Sequence, residues 1–233
     1  MFDIQLPKLS KGKHGPNEKE MCAMELVSFM ERLPHSDSPP CTCPVLAAYV
    51  RAINDRMDDN TRQLLLPYLS RLVGTVLPEH EKDRLQYIAM MAVNVFAAKV
   101  CRGLIDEHLV LAMELATELV GAKKAAYAAY DAAAPAAADY DAYTASSVGG
   151  AAKAAAYTAS SVGGAAEAAD SAAADYDAIA SAAAYAADSA ADVVGNWDDA
   201  LIGLDGMLAI GASTTKLQWS KERAKEAVER ITV

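Results

Sequence analysis

The chain has 233 residues and a formal net charge of −10, which is enough length to bury a core as one large domain or two small ones. Hydrophobic residues reach 53%, but 36 of the 80 residues between Gly121 and Ala200 are alanine, so the strong core formers lie before residue 120 and after residue 200. The 121–200 segment alone carries −8, no basic face is clustered to contact phosphates, and no window is apolar enough for a membrane span, which argues against direct nucleic-acid binding and membrane insertion.

The first twenty residues are polar and lack an apolar central run, so no signal peptide is expected. The four cysteines, Cys22, Cys41, Cys43 and Cys101, do not resemble a secreted disulfide framework. The expectation is a soluble protein of a reducing cytoplasm.

Residues 1–19 read as a polar arm. Met21, Met24, Val27 and Met30 recur at helical spacing and predict an amphipathic helix over 20–33. The stretch 34–44, PHSDSPPCTCP, holds four prolines and must be a rigid, irregular loop. Pro44 suits the first turn of the next helix, VLAAYVRAINDRM. Asp58 or Asp59 caps a third helix, which Pro67 kinks or divides. Pro78, with Glu79 and Glu81, starts a fourth that runs on to Cys101, and Asp106 opens a fifth that Gly121 terminates. Strand alternation is not seen anywhere along the chain.

The fold class is therefore all-α. A helical bundle spans 20–121, an alanine-rich helical repeat region 122–196, and C-terminal helices 197–233, ending in a charged amphipathic helix at 214–230. The alanine-rich region repeats AYTASSVGGAA at 142–152 and 156–166, and AAADYDA at 136–142 and 172–178. Offsets of 14 and 36 residues are close to whole numbers of helical turns, so the copies return to nearly one face. Pro135, Gly149–Gly150 and Gly163–Gly164 are the expected breaks. A helix with an alanine face gains little alone, so it needs a partner surface. That partner is a hairpin of the same tract or, as favoured here, a second copy, making a homo-oligomer.

Chemistry concentrates in His14, Cys22, His35, Asp37, Cys41 and Cys43. Thiolates and imidazoles at short spacing are what Zn²⁺ needs, so His14, Cys22, His35, Cys41 and Cys43 are the candidate metal ligands. Against this, only a CxC pair is present, and Cys22 also reads as a small buried hydrophobe on the first helix. A cysteine nucleophile paired with His35 is a third reading. Glu25, Asp37 and the Asn54–Asp55 pair supply carboxyl and amide groups, better read as helix caps or partners of Arg51, Arg56 or Arg62. Phosphate loops, HExxH and GxSxG are absent, and no catalytic or cofactor-binding residue is assigned.

Met21, Cys22, Met24 and Glu25, then Ser36, Asp37, Pro39 and Cys41, then Asn54 and Asp55, form an M-C-x-M-E, S-D-x-P-x-C, N-D pattern. In this pattern and its alanine-rich tract the chain resembles a family of actinobacterial and phage proteins. The resemblance implies a genomic setting and no activity. The function expected is a non-catalytic interaction or accessory protein, encoded by a phage or mobile element, that self-associates and acts on a host protein or small ligand. Its rivals are a metal-dependent or cysteine-based enzyme at Cys22, His35, Asp37 and Cys41, and an acidic decoy of a nucleic-acid-binding protein.

Overall fold

In a computed structural model that describes residues 8–16, 20–136, 148–157 and 176–212, the fold is all-α. Among the described residues the one extended pairing is an isolated parallel bridge between Leu9 and Met21, and no helix is long and apolar enough to cross a membrane.

Helix α1 (Ala23–Met30) is buried along almost its whole length. Proline then divides the chain where expected. Pro44 occupies the first turn of α2 (Pro44–Arg56), where its missing N–H costs nothing. Pro67 separates a 3₁₀ turn (Thr61–Leu65) from α3 (Leu66–Leu72). The 3₁₀ turn at Pro78–His80 leads into α4 (Glu81–Met91), which passes through a π-helical segment (Ala92–Ala97) into α5 (Ala98–Cys101).

The Asp106 carboxylate accepts the His108 N–H and caps α6 (Glu107–Glu114). This helix stops earlier than the sequence pattern predicts. Asn94, on the π-helical segment, donates its amide to the carbonyls of Glu114 (3.4 Å) and Ala116 (2.7 Å), drawing the chain out of helix at Leu115. Helix α7 (Leu119–Ala136) has begun before Gly121, which sits in its first turn instead of ending a helix.

The alanine-rich helix α8 (Tyr176–Val194) lies along α2 and the π-helical segment of its own chain. Ala180, Ala183, Ala184, Ala187, Ala190 and Ala191 are all buried there. Polar side chains fix its position: Arg51 pairs with Asp177, and the Tyr176 hydroxyl donates to Glu81 Oε2 at 2.7 Å. A left-handed Gly195 (φ 80°) ends α8. Helix α9 (Asp198–Ala209) packs on α2 and α4 through Leu204 and Met207.

The hydrophobic core runs from Leu9 to Leu208 without stopping at Gly121, because buried alanines of 122–133, 151–156 and 180–191 join it. Gly149 and Gly150, expected as breaks, lie within helical residues 148–157. A Cβ at Gly150 would come 2.6 Å from the Tyr185 hydroxyl, so glycine here permits a close helix approach. The second copy of the long repeat, including Gly163–Gly164, lies outside the described residues, as does the expected helix at 214–230.

Two buried arginines close helix C-termini. Arg62, 2% exposed, donates to the carbonyls of Asn54 (2.7 Å) and Met57 (2.6 Å) at the end of α2, and to Asp59. Arg84, 1% exposed, donates to Met207 (3.3 Å) and Ile210 (2.8 Å) at the end of α9, and to the Thr75 carbonyl (2.7 Å). The last carbonyls of a helix have no partner within it, and they carry the negative end of its dipole. A guanidinium with five donors answers both needs at once.

The α9–α4 contact is also set by a glycine. A Cβ at Gly206 would overlap the Tyr87 phenol. Gly206→Ala is expected to lower stability by about 1–3 kcal/mol, the usual cost of overpacking, read from urea denaturation. Adding Tyr87→Leu should recover part of that loss. A Gly206→Ala protein as stable as the parent would show that Tyr87 moves aside freely.

Candidate functional site

The three sequence motifs meet at the N-terminus of α1. Cys22 is the N-cap of that helix and Glu25 its third residue, and together they form a capping box. The Glu25 amide donates to Cys22 Sγ at 3.5 Å, and Glu25 Oε2 accepts the Cys22 amide at 2.8 Å. Cysteine thus stands where serine or threonine is usual.

Glu25 also holds the N-terminal arm. Its Oε1 accepts the His14 amide at 2.7 Å, and its Oε2 lies 2.8 Å from His14 Nδ1. His35, from the proline-rich loop, places Nε2 at 2.8 Å from the His14 carbonyl and 3.5 Å from Glu25 Oε1. The carboxylate is 0% exposed. Burial by itself raises its pKa, but the amides of His14 and Cys22 and the His14 ring outweigh burial and hold it below the ordinary 4.5.

Asn54 and Asp55 complete the fastening from α2. Asn54 Oδ1 accepts the Ala23 amide at 3.2 Å, and its amide group donates to the Ser10 carbonyl at 3.1 Å. Asp55 Oδ1 accepts the Gly12 amide at 2.8 Å. Gln63 grips Leu9 through both its amide and its carbonyl, at 2.9 and 3.0 Å. Residues 9–14 are therefore tied down by side chains of α1, α2 and the 3₁₀ turn.

Beside this network a small cavity of about 50 Å³ is lined by Gly12, Lys13, Cys22, Asp37, Arg51 and Asp55. Its charges are matched internally. Lys13 Nζ is 3.5 Å from Asp37 Oδ1, while Arg51 donates to the Asp37 carbonyl at 2.8 Å and pairs with Asp177.

The five residues expected as zinc ligands fall in two places. His14, Cys22 and His35 gather around Glu25. Cys41 and Cys43 lie on the other arm of the loop, where the Cys41 carbonyl accepts the Gly74 amide (2.8 Å) and the Cys43 amide donates to Thr75 Oγ1 (2.9 Å). Among the described residues no group of three or more His, Cys, Asp or Glu side chains is placed to hold a metal ion. All four cysteines are free thiols.

Cys22 is 3% exposed, and burial, with the Glu25 carboxylate beside it, pushes its thiol up to about 12. A thiol held protonated is a poor nucleophile. The residue that sequence reasoning underrated is Glu25. Its signal was the C-x-x-E spacing, a capping box with cysteine in the cap position.

Comparison with protein-family models, with characterised proteins and with solved structures finds no match to this chain.

Proposed function

We propose that this chain is a non-catalytic interaction protein, and that its three motifs are a clasp that fixes the N-terminal arm onto a helical scaffold. The observation that carries this reading is the use made of Glu25. In an acid–base or nucleophilic site a buried carboxylate keeps an oxygen for the reaction. Here both oxygens are taken up by the amides of His14 and Cys22 and the His14 ring. Burial raises the pKa of the adjacent Cys22 thiol and that of Cys41 as well, which weighs against either as the nucleophile of a cysteine-based enzyme. The alanine face of α8 is spent inside the chain, so the partner surface is sought elsewhere.

The test is thiol reactivity in the folded protein. With iodoacetamide at neutral pH, half-buried Cys41 is expected to react first, while buried Cys22, Cys43 and Cys101 stay protected until the chain unfolds. Cys22→Ser should keep the capping box and change stability by less than about 1 kcal/mol, since serine is a preferred cap. Rapid selective alkylation of Cys22 in the native state would overturn the non-catalytic reading.

A further inference from the structure

Helix α7 turns its small side chains inward and its large ones outward. Ala122, Ala125, Ala126, Ala129 and Ala133 are buried, on the side packed against α6, the π-helical segment and α4. Val120, in contrast, is 80% exposed, Tyr127 44% and Tyr130 37%. Among the described residues no other large apolar side chain is as exposed as Val120. The helix thus leaves in water the surface that has most to gain from burial.

A second observation is the charge pattern on that outer face. At about 3.6 residues per turn, positions seven apart return to nearly the same line along a helix. Val120 and Tyr127 make the middle line, Lys124 and Asp131 run along one side of it, and Lys123 and Tyr130 along the other. All six are exposed, and among the described residues neither lysine nor Asp131 has an ion-pair partner within the chain.

This pattern is complementary to itself. Two copies of the face laid antiparallel about a two-fold axis bring each side line against the same line of the partner, with its ends exchanged. With the axis at Tyr127, Lys124 meets the partner's Asp131, Lys123 lies over the ring of the partner's Tyr130, and the two Tyr127 rings meet at the centre. Each attraction occurs twice. A parallel pair instead sets each lysine level with its own copy, which repels.

We propose that α7 is a dimerisation helix, pairing antiparallel with α7 of a second copy of this chain about a two-fold axis at Tyr127. The alanine face of α7 is spent inside the chain, so the contact is made by the opposite face. The 18 residues of α7 run about 27 Å. A contact of one helix per copy is smaller than a standard interface, so a dissociation constant of about 1–100 µM is expected. The proposal goes beyond the non-catalytic reading and does not depend on it.

The experiment is sedimentation equilibrium of the full-length protein, from about 1 to 300 µM so as to bracket that constant. A monomer–dimer equilibrium is expected. Lys124→Asp and Asp131→Lys each set like charges together at both copies of the contact, and each should weaken association about tenfold or more. An equimolar mixture of these two variants makes both contacts attractive again, and should dimerise about as tightly as the parent. Tyr127→Glu, which places two carboxylates together at the axis, should leave monomer. The three positions are exposed, so circular dichroism and Tm of the variants should match the parent.

A parent that stays monomeric over the whole range overturns the proposal and leaves the face to a different partner. So does a dimer that both single charge variants leave intact, since its contact then lies elsewhere. A mixture no tighter than its two components overturns the antiparallel register. None of these results touches the thiol-protection measurement, so failure here and failure of the non-catalytic reading are told apart.

Discussion

Replacing Glu25 by alanine is expected to destabilise the protein by about 3–5 kcal/mol, the cost of removing one member of a buried charged network. The change leaves the amides of His14 and Cys22 without an acceptor, and it deprives the His14 ring of its partner. The arm then keeps Asn54, Asp55 and Gln63, the His35 bond to the His14 carbonyl, and the Leu9–Met21 bridge. Hydrogen exchange at the Leu9, Gly12 and His14 amides should rise before global unfolding. Glu25→Gln keeps one acceptor and turns the other oxygen into a donor facing N–H groups, so it should recover only part of the loss.

Acid titration gives the sign independently. The folded pKa of Glu25 is depressed below 4.5, so its contribution is fully present above that pH and is lost as pH falls below it. The Glu25→Gln protein should lose this part of the acid dependence. Equal stability of wild type and Glu25→Ala at neutral pH would dismiss the clasp.

Arg84→Met is expected to cost about 2–4 kcal/mol, because three buried or part-buried carbonyls lose their donor while the apolar stem is retained. Those carbonyls belong to Met207, Ile210 and Thr75, so the damage should concentrate at the C-terminal end of α9. Arg84→Lys should be intermediate, since a single ammonium cannot span the three acceptors as a planar fork does. Urea denaturation reads the global cost, and amide exchange along 204–210 reads its location. A loss below about 1 kcal/mol would mean that water replaces the guanidinium without penalty.

Features whose cause is local were legible in the sequence. Pro44, Pro67 and Asp106 mark element boundaries because a missing N–H or a capping oxygen acts within one turn. Features whose cause is distant were not. The end of α6 at Glu114 depends on Asn94, twenty residues earlier, and nothing between Leu109 and Gly121 announces it. Nothing in the sequence marks Arg62 or Arg84 as buried, since burial of a charge depends on which carbonyls tertiary packing brings to it. His14 and His35 were noticed for their chemistry, yet their meeting at Glu25 depends on how the arm and the loop close over α1. The burial of Cys22 was legible, but its place as the cap of α1 was not read, although the spacing to Glu25 is that of a capping box.

The contact between α8 and α2 has a further consequence. Methyl groups repeat along α8 with little difference between one turn and the next, so the apolar surface barely distinguishes the observed alignment from one shifted by about 5.4 Å. Large side chains fix alignment by interlocking, and alanine has nothing to interlock. Alignment is therefore set by the few larger side chains: Tyr176 on Glu81 and Asp177 on Arg51 at the first turn, buried Ile179, and Ser181 and Tyr185 against Arg56. A few contacts, some of them exposed ion pairs that add little to stability, thus decide which of several nearly equivalent registers the chain adopts.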